Sequence, residues 1–571
     1  FDAASGQLSG EARAATALST GGDGALWFPD SKHILFTSEV YPDCKDDACN
    51  KQRDEELAHS KVKAQVFTHL LYRHWTAYSS SKRSHLFTLD LDSGAAKDIT
   101  PGDRDVPPFN LGGQDFYAIS PDGKEVAYTS NIDEVEATST NNEIFVVPAD
   151  GSGPAKKIST AAGSDANPLY SPDGRYIAWR SQERGGYESD RFRLMLYDRQ
   201  SGQINELTKG FANWVDAFIW APDSKRIYFT SDDQGVAPLY AMEVPSGKIS
   251  ELLRKHNDEP AVSADGNTIV FSRMSAQFPN EIYRVRLTSG TLNGAEENLS
   301  HANDSVLGQF YSAPVEDFWF TGSQKAKVQG FVVKPPDFNP GTKYPVKFLI
   351  HGGPEGAWGD SWSFRWNPQL FAANGYVVVM INPRGSVGYG QKFIDDVNGD
   401  WGGRAYQDLM RGLDYAEQHF AYIDKGRECV LGASYGGYMT NWIITHNDRF
   451  KCAVSHDGMF NTESAYGTTE ELWFNEWEFK GEPWTDRELY RKWSPHLNVK
   501  NIKTPTLVVH SQLDYRLDVS EGFQLFTTLQ RLKVPSKMLY FPDEGHWVLK
   551  PQNSQLWYRT VNGWVDQYAK H

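Results

Sequence analysis

The sequence predicts two domains of different class, a β-propeller over residues 1–321 and an α/β domain with a mostly parallel sheet over residues 322–571. Two observations predict this division. A turn-and-strand segment recurs along the first half, and the second half alternates short apolar runs with helical patterns. At about 150 residues per domain, 571 residues correspond to about four ordinary domains, or to two when one is a large β architecture.

The repeat in the first half has the chemistry of a turn that leads into a strand. Pro sets φ, Asp caps the turn, Gly or Ser takes an unusual dihedral, and alternating apolar residues then suit a pleated sheet. A period of 40 to 50 residues with several strands per repeat is typical of a propeller. Five blades are marked, a further blade is expected in the long first gap, a sixth near residues 312–320, and the N-terminal blades are expected to be incomplete. The marked segments are 27–36, 119–128, 170–179, 220–229 and 263–271.

The second half is predicted to form a buried parallel sheet, because its apolar runs are continuous and are separated by helical patterns. Helices are expected over 404–420, 438–446 and 553–568. The predicted strands are 346–350, 376–381, 429–431, 453–455, 506–510 and 538–541.

The charge of the chain argues against nucleic acid as a partner. The sequence has 57 Lys and Arg against 73 Asp and Glu, a net charge of −16, which repels a phosphate backbone. No run of about 18 apolar residues predicts a membrane span, and the first residues lack the pattern of a signal peptide. Cys44 and Cys49 lie in a polar segment that favours a local disulfide and hence a periplasmic or secreted protein, whereas Cys429 and Cys452 are expected to be buried thiols.

Ser434 lies in the segment Gly432-Ala433-Ser434-Tyr435-Gly436-Gly437, between a predicted strand and a predicted helix. Flanking glycines let the chain turn sharply there and expose the serine hydroxyl above the sheet, as in the nucleophile elbow of α/β-hydrolases. The alternative is a glycine-rich turn with a bystander serine. The strand and helix on either side favour the nucleophile.

A serine nucleophile needs a base and a carboxylate that orients the base, and in an α/β-hydrolase these follow in the order Ser, Asp, His. Asp514 and His546 fit, because each follows a predicted strand at the same edge of the sheet. Asp518 and Asp543 are weaker candidates for the acid, one inside the next helix and one too close to His546. Three other histidines end strands but precede Asp514, namely His351, His456 and His510.

The oxyanion of an acyl-transfer reaction needs preorganised N–H donors. The backbone amide of Tyr435, directly after the nucleophile, is one expected donor. Gly353, in the loop His351-Gly352-Gly353-Pro354 after the first predicted strand of the domain, is the other. The alternative for this loop is a tight turn without a role. No metal or organic cofactor is predicted.

A propeller followed by this hydrolase resembles the prolyl oligopeptidase family of serine peptidases, and the resemblance covers nearly the whole chain. The loop 351–354, the segment 382–390, the elbow and the segment 541–547 resemble its acylaminoacyl-peptidase-like branch. The segments 456–460, 466–474 and 186–191 resemble the dipeptidyl-peptidase V group within it. Two segments differ from the family pattern. Arg516-Leu517-Asp518 stands where the family usually has Arg-Val-Pro, and His510-Ser511 stands where it usually has His-Gly.

The resemblance implies release of N-terminal dipeptides from oligopeptides by a secreted or periplasmic enzyme that is commonly a homodimer. Such an enzyme must hold a free α-ammonium group, which calls for carboxylates at the site. Glu188, Asp190, Glu470 and Glu471 are candidates, although most acidic residues of such a chain are surface. Met459, Phe460, Tyr466 and Trp473 are candidates for the pocket before the cut, or for core. An acylaminoacyl peptidase or esterase, and a propeller-based binding protein with an idle hydrolase, are the alternative functions.

Overall fold

Each of the five turn-and-strand repeats joins the first two strands of a separate antiparallel sheet. The computed structural model describes residues 11, 13–109 and 116–570. Gly123, Gly174 and Gly266 have φ near +70°, and Ser31 and Ser224 have φ of 58°, as the turn chemistry predicts. The strands of this half are β1 (Asp23–Trp27), β2 (His33–Val40), β3 (Arg73–His74), β4 (Ala77–Tyr78), β5 (Arg83–Asp90), β6 (Ala96–Asp98), β7 (Tyr117–Ile119), β8 (Glu125–Asn131), β9 (Asn142–Pro148), β10 (Lys156–Lys157), β11 (Asp165–Tyr170), β12 (Tyr176–Ser181), β13 (Arg193–Asp198), β14 (Ile204–Glu206), β15 (Phe218–Trp220), β16 (Arg226–Thr230), β17 (Leu239–Glu243), β18 (Ile249–Leu253), β19 (His256–Val262), β20 (Thr268–Ser275), β21 (Phe278–Thr288), β22 (Thr291–Leu292) and β23 (Glu297–Asn298).

The sheets are blades, in the orders β1-β2-β5-β6, β10-β9-β8-β7, β11-β12-β13-β14, β15-β16-β17-β18 and β19-β20-β21-β22, with β23 beside β21. Apolar residues of neighbouring blades pack together, as where Ala178 and Leu196 of the third blade meet Phe229 and Met242 of the fourth. The propeller predicted from the repeats is therefore confirmed.

The expectation of a hidden blade between the first two repeats is wrong. The first blade itself fills that gap, because an insertion between β2 and β5 lengthens it. The insertion holds a helix, α1 (Asp47–His59), and the β3-β4 hairpin. Cys44 and Cys49 form a disulfide in it, with Cα atoms 5.5 Å apart, as the sequence favours.

The eight strands of the second sheet are β24 (Glu316–Thr321), β25 (Lys327–Val333), β26 (Tyr344–Ile350), β27 (Val377–Asn382), β28 (Ile423–Ala433), β29 (Cys452–His456), β30 (Thr506–Ser511) and β31 (Ser536–Phe541). Their order is β24-β25-β27-β26-β28-β29-β30-β31, and all neighbours from β27 onward are parallel. The sixth blade expected near residues 312–320 is therefore wrong, because β24 pairs with β25 at the edge of this sheet. The predicted boundary between residues 321 and 322 falls after the first strand of the α/β domain.

Helices cover both faces of this sheet. The helices after α1 are α2 (Asp304–Leu307), α3 (Pro368–Ala372), α4 (Gln391–Asp395), α5 (Arg404–His419), α6 (Tyr435–His446), α7 (Thr462–Thr468), α8 (Leu472–Glu478), α9 (Arg487–Lys492), α10 (Val519–Arg531) and α11 (Pro551–Ala569). One face packs Leu409, Ile443 and Leu525 of α5, α6 and α10, and the other packs Phe371 and Trp557 of α3 and α11. No helix among the described residues has the length and the apolar run that crossing a bilayer requires.

The expectation that Cys429 and Cys452 are free thiols is also wrong. The two residues are register partners on the parallel strands β28 and β29, and they are disulfide-bonded across a Cα separation of 4.9 Å. The register of a parallel pair, which apolar runs do not reveal, brings the two side chains together.

Candidate active site

Ser434 occupies a sharp turn between β28 and α6. Its φ of 59° and ψ of −123° are a conformation that costs an ordinary residue energy, and its amide donates to His456 O at 3.0 Å and to Asp457 Oδ1 at 2.6 Å. A Cβ atom on Gly436 would lie 2.2 Å from Ile350 O, and one on Gly437 would lie 2.4 Å from His456 O. The glycines of the elbow are therefore required for the close approach of α6 to the sheet.

Asp514 and His546 are buried and hydrogen-bonded to each other at the carboxyl edge of the sheet. His546 Nδ1 lies 2.8 Å from Asp514 Oδ2. Asp514 Oδ1 accepts from the amides of Arg516 at 3.1 Å and Leu517 at 2.9 Å, so the carboxylate is fixed at both oxygens. A carboxylate at Nδ1 holds that nitrogen as the donor and leaves Nε2 free to act as a base.

Each rival residue has a structural partner outside the predicted triad, and His510 Nε2 also lies 3.6 Å from Asp514 Oδ2. Asp518 caps α10 by accepting from the amide of Ser520, and Asp543 is an exposed partner of Lys550. His351 bonds Ser386 through Nε2 at 2.9 Å, and His510 lies 2.7 Å from Leu517 O. The ring of His456 stacks on Trp366, with centroids 6.3 Å apart.

Asp457 is a second carboxylate at the same imidazole, and it is not among the residues predicted from the sequence. Its Oδ2 lies 3.6 Å from His546 Nδ1, while its Oδ1 accepts from the amide of Ser434. The position directly after β29, at the carboxyl edge of the sheet, was the available signal. Asp457, Asp514 and His546 are also the one group among the described residues whose ligand atoms could hold a metal, but Asp514 and His546 already bond each other.

Burial shifts the pKa values of Asp457, Asp514 and His546 in the direction that favours the neutral form of each side chain. It raises the pKa of Asp514 and of Asp457 to about 7, and the charge of Asp514 adds to the rise for Asp457. It lowers the pKa of His546, against the attraction of Asp457. The imidazole is therefore held neutral near neutral pH, as a general base requires.

A cavity of about 450 Å³ opens over Ser434 and His546. Gly352, Gly353 and Tyr435 line it beside the serine, and a Cβ atom on Gly352 would lie 3.8 Å from Ser434 Oγ. The residues predicted to donate to an oxyanion thus border the predicted nucleophile. The apolar part of the wall includes Trp358, Trp401, Tyr435, Tyr438, Met459 and Phe474.

Three of the residues predicted to bind substrate line this cavity, and a fourth lies beside it. Met459 and Glu471 line the cavity, and Glu188 of the propeller lines it while its Oε2 accepts from Trp473 Nε1 at 2.7 Å. Trp473 therefore lies beside the cavity and contacts it through Glu188. Glu471 pairs with Arg516, and burial raises the pKa of Glu471 to about 8.

Four other residues predicted to bind substrate do not line the cavity, because each side chain packs against or binds other residues. Asp190 binds Arg184 and the amides of residues 183 and 184, and Glu470 pairs with Arg516 beneath the wall. Phe460 is in the core, and Tyr466 donates to Glu476 at 2.9 Å. A short stretch of sequence does not reveal which of its side chains face inward.

Glu355 is a cavity residue that the sequence analysis missed. It follows the glycine loop 351–354, and its Oε1 is buried and accepts from no N–H or neutral O–H donor among the described residues, although its side chain lies beside that of Glu478. Burial, together with the like charges of Glu478 and Glu188, raises its pKa well above the usual range. Its place in that loop, one residue beyond Pro354, was the available signal.

The β3-β4 hairpin of the first blade reaches across to the catalytic loops. The ring of Trp75 lies 6.0 Å from that of His546 and 5.0 Å from that of Trp547, both edge-on. The amide of Tyr515 donates to Trp75 O at 3.3 Å. Two propeller segments, this hairpin and the Glu188 loop, therefore contact the residues of the site.

Comparison with known proteins agrees with this architecture. Residues 362–571 match the model of the prolyl oligopeptidase family, and residues 119–305 match that of the TolB beta propeller domain. Dipeptidyl-peptidase 5 of Porphyromonas gingivalis is 35% identical over 559 residues, covering 96% of this chain and 80% of the relative. Dipeptidyl-peptidase 5 of Schizosaccharomyces pombe is 33% identical over 535 residues, covering 90% and 77%.

Solved structures share the same fold. An acylaminoacyl peptidase of Pyrococcus horikoshii superimposes with a TM-score of 0.79 at 21% identity, covering 96% of this chain and 82% of that one. Dipeptidyl peptidase 4 of P. gingivalis superimposes with a TM-score of 0.66 at 17% identity, covering 95% and 74%. On the strength of its close relatives, its propeller and its catalytic domain, the chain belongs to the prolyl oligopeptidase family and is a serine peptidase.

Proposed function

We propose that this enzyme releases dipeptides from the free N-terminus of oligopeptides through an acyl-enzyme on Ser434. The hydrogen bond between His546 and Asp514, and the common cavity of His546 and Ser434, support a Ser-His-Asp mechanism. The names of the two relatives above support the exopeptidase activity.

Each step of the reaction has a residue in a suitable position. His546 accepts the proton of Ser434 as the serine attacks the peptide carbonyl, and Asp514 stabilises the imidazolium. The amides of Tyr435 and Gly353 are the proposed donors to the oxyanion. His546 then gives its proton to the leaving amine, and water releases the dipeptide by the same steps in reverse. No step requires a metal or an organic cofactor.

The acidic wall of the cavity is the observation that carries this proposal. Glu188, Glu355 and Glu471 all line it, and the Oε1 of Glu355, whose side chain lies beside that of Glu478, accepts from no N–H or neutral O–H donor among the described residues. Like charges around a buried carboxylate are costly unless a cation joins them. The α-ammonium group of a peptide supplies that cation, and binding it two residues before the cut would limit release to dipeptides.

The first test compares three substrates: a dipeptidyl reporter with a free amine, its N-acetylated form and a simple ester. We expect the wild type to prefer the free amine, and Ser434→Ala to lose at least about 10³-fold of the activity. Preference for the acetylated substrate would identify an acylaminoacyl peptidase, and fastest turnover of the ester would identify an esterase. No turnover of any substrate would favour a binding protein.

The acidic wall is tested separately by Glu355→Gln. We expect this change to lower kcat/KM for the free-amine substrate about tenfold, because a charge-assisted hydrogen bond is lost. Glu488→Gln removes the same charge from an exposed position on α9 and is the matched control. An equal loss in both variants, or none in Glu355→Gln, would contradict a role for Glu355 in binding the amine.

The disulfides support an oxidising compartment, and we include a periplasmic or secreted location in the proposal. Thiol titration of the denatured protein from its native host should find no free cysteine. A homodimer, which the family resemblance implies, is also proposed, and sedimentation equilibrium would test it. Detection of four free thiols would contradict the location.

A further inference from the structure

Arg365 is a cation in the wall of the active-site cavity that has no acidic partner. Among the described residues no carboxylate oxygen lies within 4.0 Å of its guanidinium and no hydrogen bond uses its side-chain donors. It packs on the ring of Trp547, with 4.4 Å between Cζ and the ring centroid. Arg516, the other arginine of the cavity, is by contrast paired with Glu470 and Glu471.

The backbone around Arg365 is held in place by α11. The hydroxyl of Tyr558 donates to Arg365 O at 2.7 Å and accepts from the amide of Asn367 at 2.9 Å. Trp366, between them, packs edge-on against Trp557 of the same helix at 5.0 Å. The guanidinium is therefore carried by an anchored loop, so that its place beside Trp547 is part of the fold.

Arg365 stands on the side of the cavity from which the leaving group departs. In a serine peptidase the histidine gives its proton to the leaving amine, so the leaving group lies next to His546. Trp547, which stacks on Arg365, directly follows His546, so the guanidinium lies beside the segment that carries the general acid.

The charges of the cavity are divided between two regions. Glu355 and Glu471 both lie near the carboxylate of Glu188. Their other charged neighbours are further carboxylates and Arg516. The charged neighbour of Arg365 is Asp457, whose oxygens already face the amide of Ser434 and His546. The cavity thus presents carboxylates at one region and an unpaired cation at another.

Resting on the proposed function, we infer that Arg365 binds a carboxylate of the leaving group. When the leaving group is a single residue, its terminal carboxylate lies within roughly 4 Å of the scissile nitrogen, since backbone bonds are about 1.5 Å long. An acidic side chain at the same residue offers the same group. Arg365 would then favour tripeptides, or peptides with Asp or Glu after the cut, over substrates that are neutral there.

The experiment compares two pairs of substrates that share one dipeptide. The first pair is a tripeptide ending in Ala with a free carboxylate or an amide, and the second is a tripeptide amide ending in Glu or Gln. Release of the dipeptide is followed by chromatography. We expect kcat/KM to be about tenfold higher for the charged member of at least one pair.

The variants assign that preference to Arg365. We expect Arg365→Gln to bring the ratio of charged to neutral substrate close to one, and Arg365→Lys to keep part of it. Arg559→Gln, which removes an arginine from the neighbouring face of α11 outside the cavity, should keep the wild-type ratio. Taking a ratio within each variant cancels any general loss of activity, and thermal unfolding establishes that each variant is folded.

The two proposals can fail separately. If dipeptide is released but both ratios are near one in the wild type, the inference about Arg365 is wrong and the proposed function stands. The same conclusion follows if Arg365→Gln retains the wild-type ratio. If no substrate yields a dipeptide, the proposed function falls and the inference about Arg365 falls with it.

Discussion

Asp457 shows how one residue changes the titration of the site. It places a second buried carboxylate 3.6 Å from His546 Nδ1, while Asp514 lies 2.8 Å from the same atom. Two like charges at one imidazole make protonation of a carboxylate easier, and they also favour the imidazolium. Protons therefore bind to this group at higher pH than they would with Asp514 alone.

The pH profile of kcat/KM should have an acid limb near pH 7. Burial raises the pKa of Asp514 and of Asp457 to about 7, so as the pH falls through this value the carboxylates take up protons. A neutral Asp514 cannot stabilise the imidazolium, and activity is lost. Initial rates between pH 5 and 9 measure this limb, and full activity at pH 5 would contradict it.

Asp457→Asn should shift that limb to lower pH by about 0.5 to 1 unit. The change removes a carboxylate that itself titrates near pH 7 and a charge that attracts a proton to His546, and both effects act in the same direction. Asparagine still offers an oxygen to the amide of Ser434. An unchanged limb with reduced kcat would show that Asp457 only supports the backbone of the elbow.

The position of the nucleophile depends on the elbow, and the glycines of the elbow allow α6 to pack closely against the sheet. Gly436 lies in the first turn of α6, where a Cβ atom would collide with the backbone of β26 at Ile350 O. The side chain of Ser434 can project above the sheet only if this helix starts close to the strands. Backbone atoms cannot move aside as the end of a flexible side chain can.

Gly436→Ala should therefore destabilise the protein by about 2 kcal/mol, because overpacking of a close contact costs about 1 to 3 kcal/mol. Gly467→Ala is the matched control, since a Cβ atom there meets nothing within 4 Å. We expect it to be neutral or slightly stabilising in α7. Urea unfolding of both variants measures the difference, and similar midpoints would refute the steric argument.

At the scale of the whole molecule, the propeller contributes to the site and must be held in register with the hydrolase domain. Arg184 binds Asp190 of the propeller and reaches Asp395 of the hydrolase domain through two hydrogen bonds of 3.0 Å. Tyr187 stacks on Trp477 at 4.4 Å. Glu188 follows directly, so these contacts determine where its carboxylate lies.

Asp395→Asn should raise KM for the free-amine substrate about three- to fivefold, with little effect on a simple ester. The pair is about one third exposed and contributes little stability, so the effect is on the position of the Glu188 loop. Asp396→Asn is the control, because Asp396 bonds Lys392 and Arg404 within the hydrolase domain. Equal changes with both substrates would argue against a positioning role.

Local patterns were sufficient to predict the two classes of domain, the five blades and the candidate triad. Turn residues before alternating strands identified the five blades, and apolar runs identified the parallel strands. The order of Ser434, Asp514 and His546, each at the end of a strand, then required only that parallel strands end at one edge. These properties depend on neighbours within about ten residues, and a single sequence records them directly.

The tertiary structure alone decided which side chains share a cavity. Strand β24 was assigned to a sixth blade because its pattern is the same in either sheet, and the pairing of Cys429 with Cys452 depends on the register of two strands. Asp190 and Glu470 have internal partners, whereas Glu355 and Arg365 line the cavity from one loop. The direction of a loop side chain depends on contacts with elements far away in the chain, and residue type and spacing do not determine those contacts.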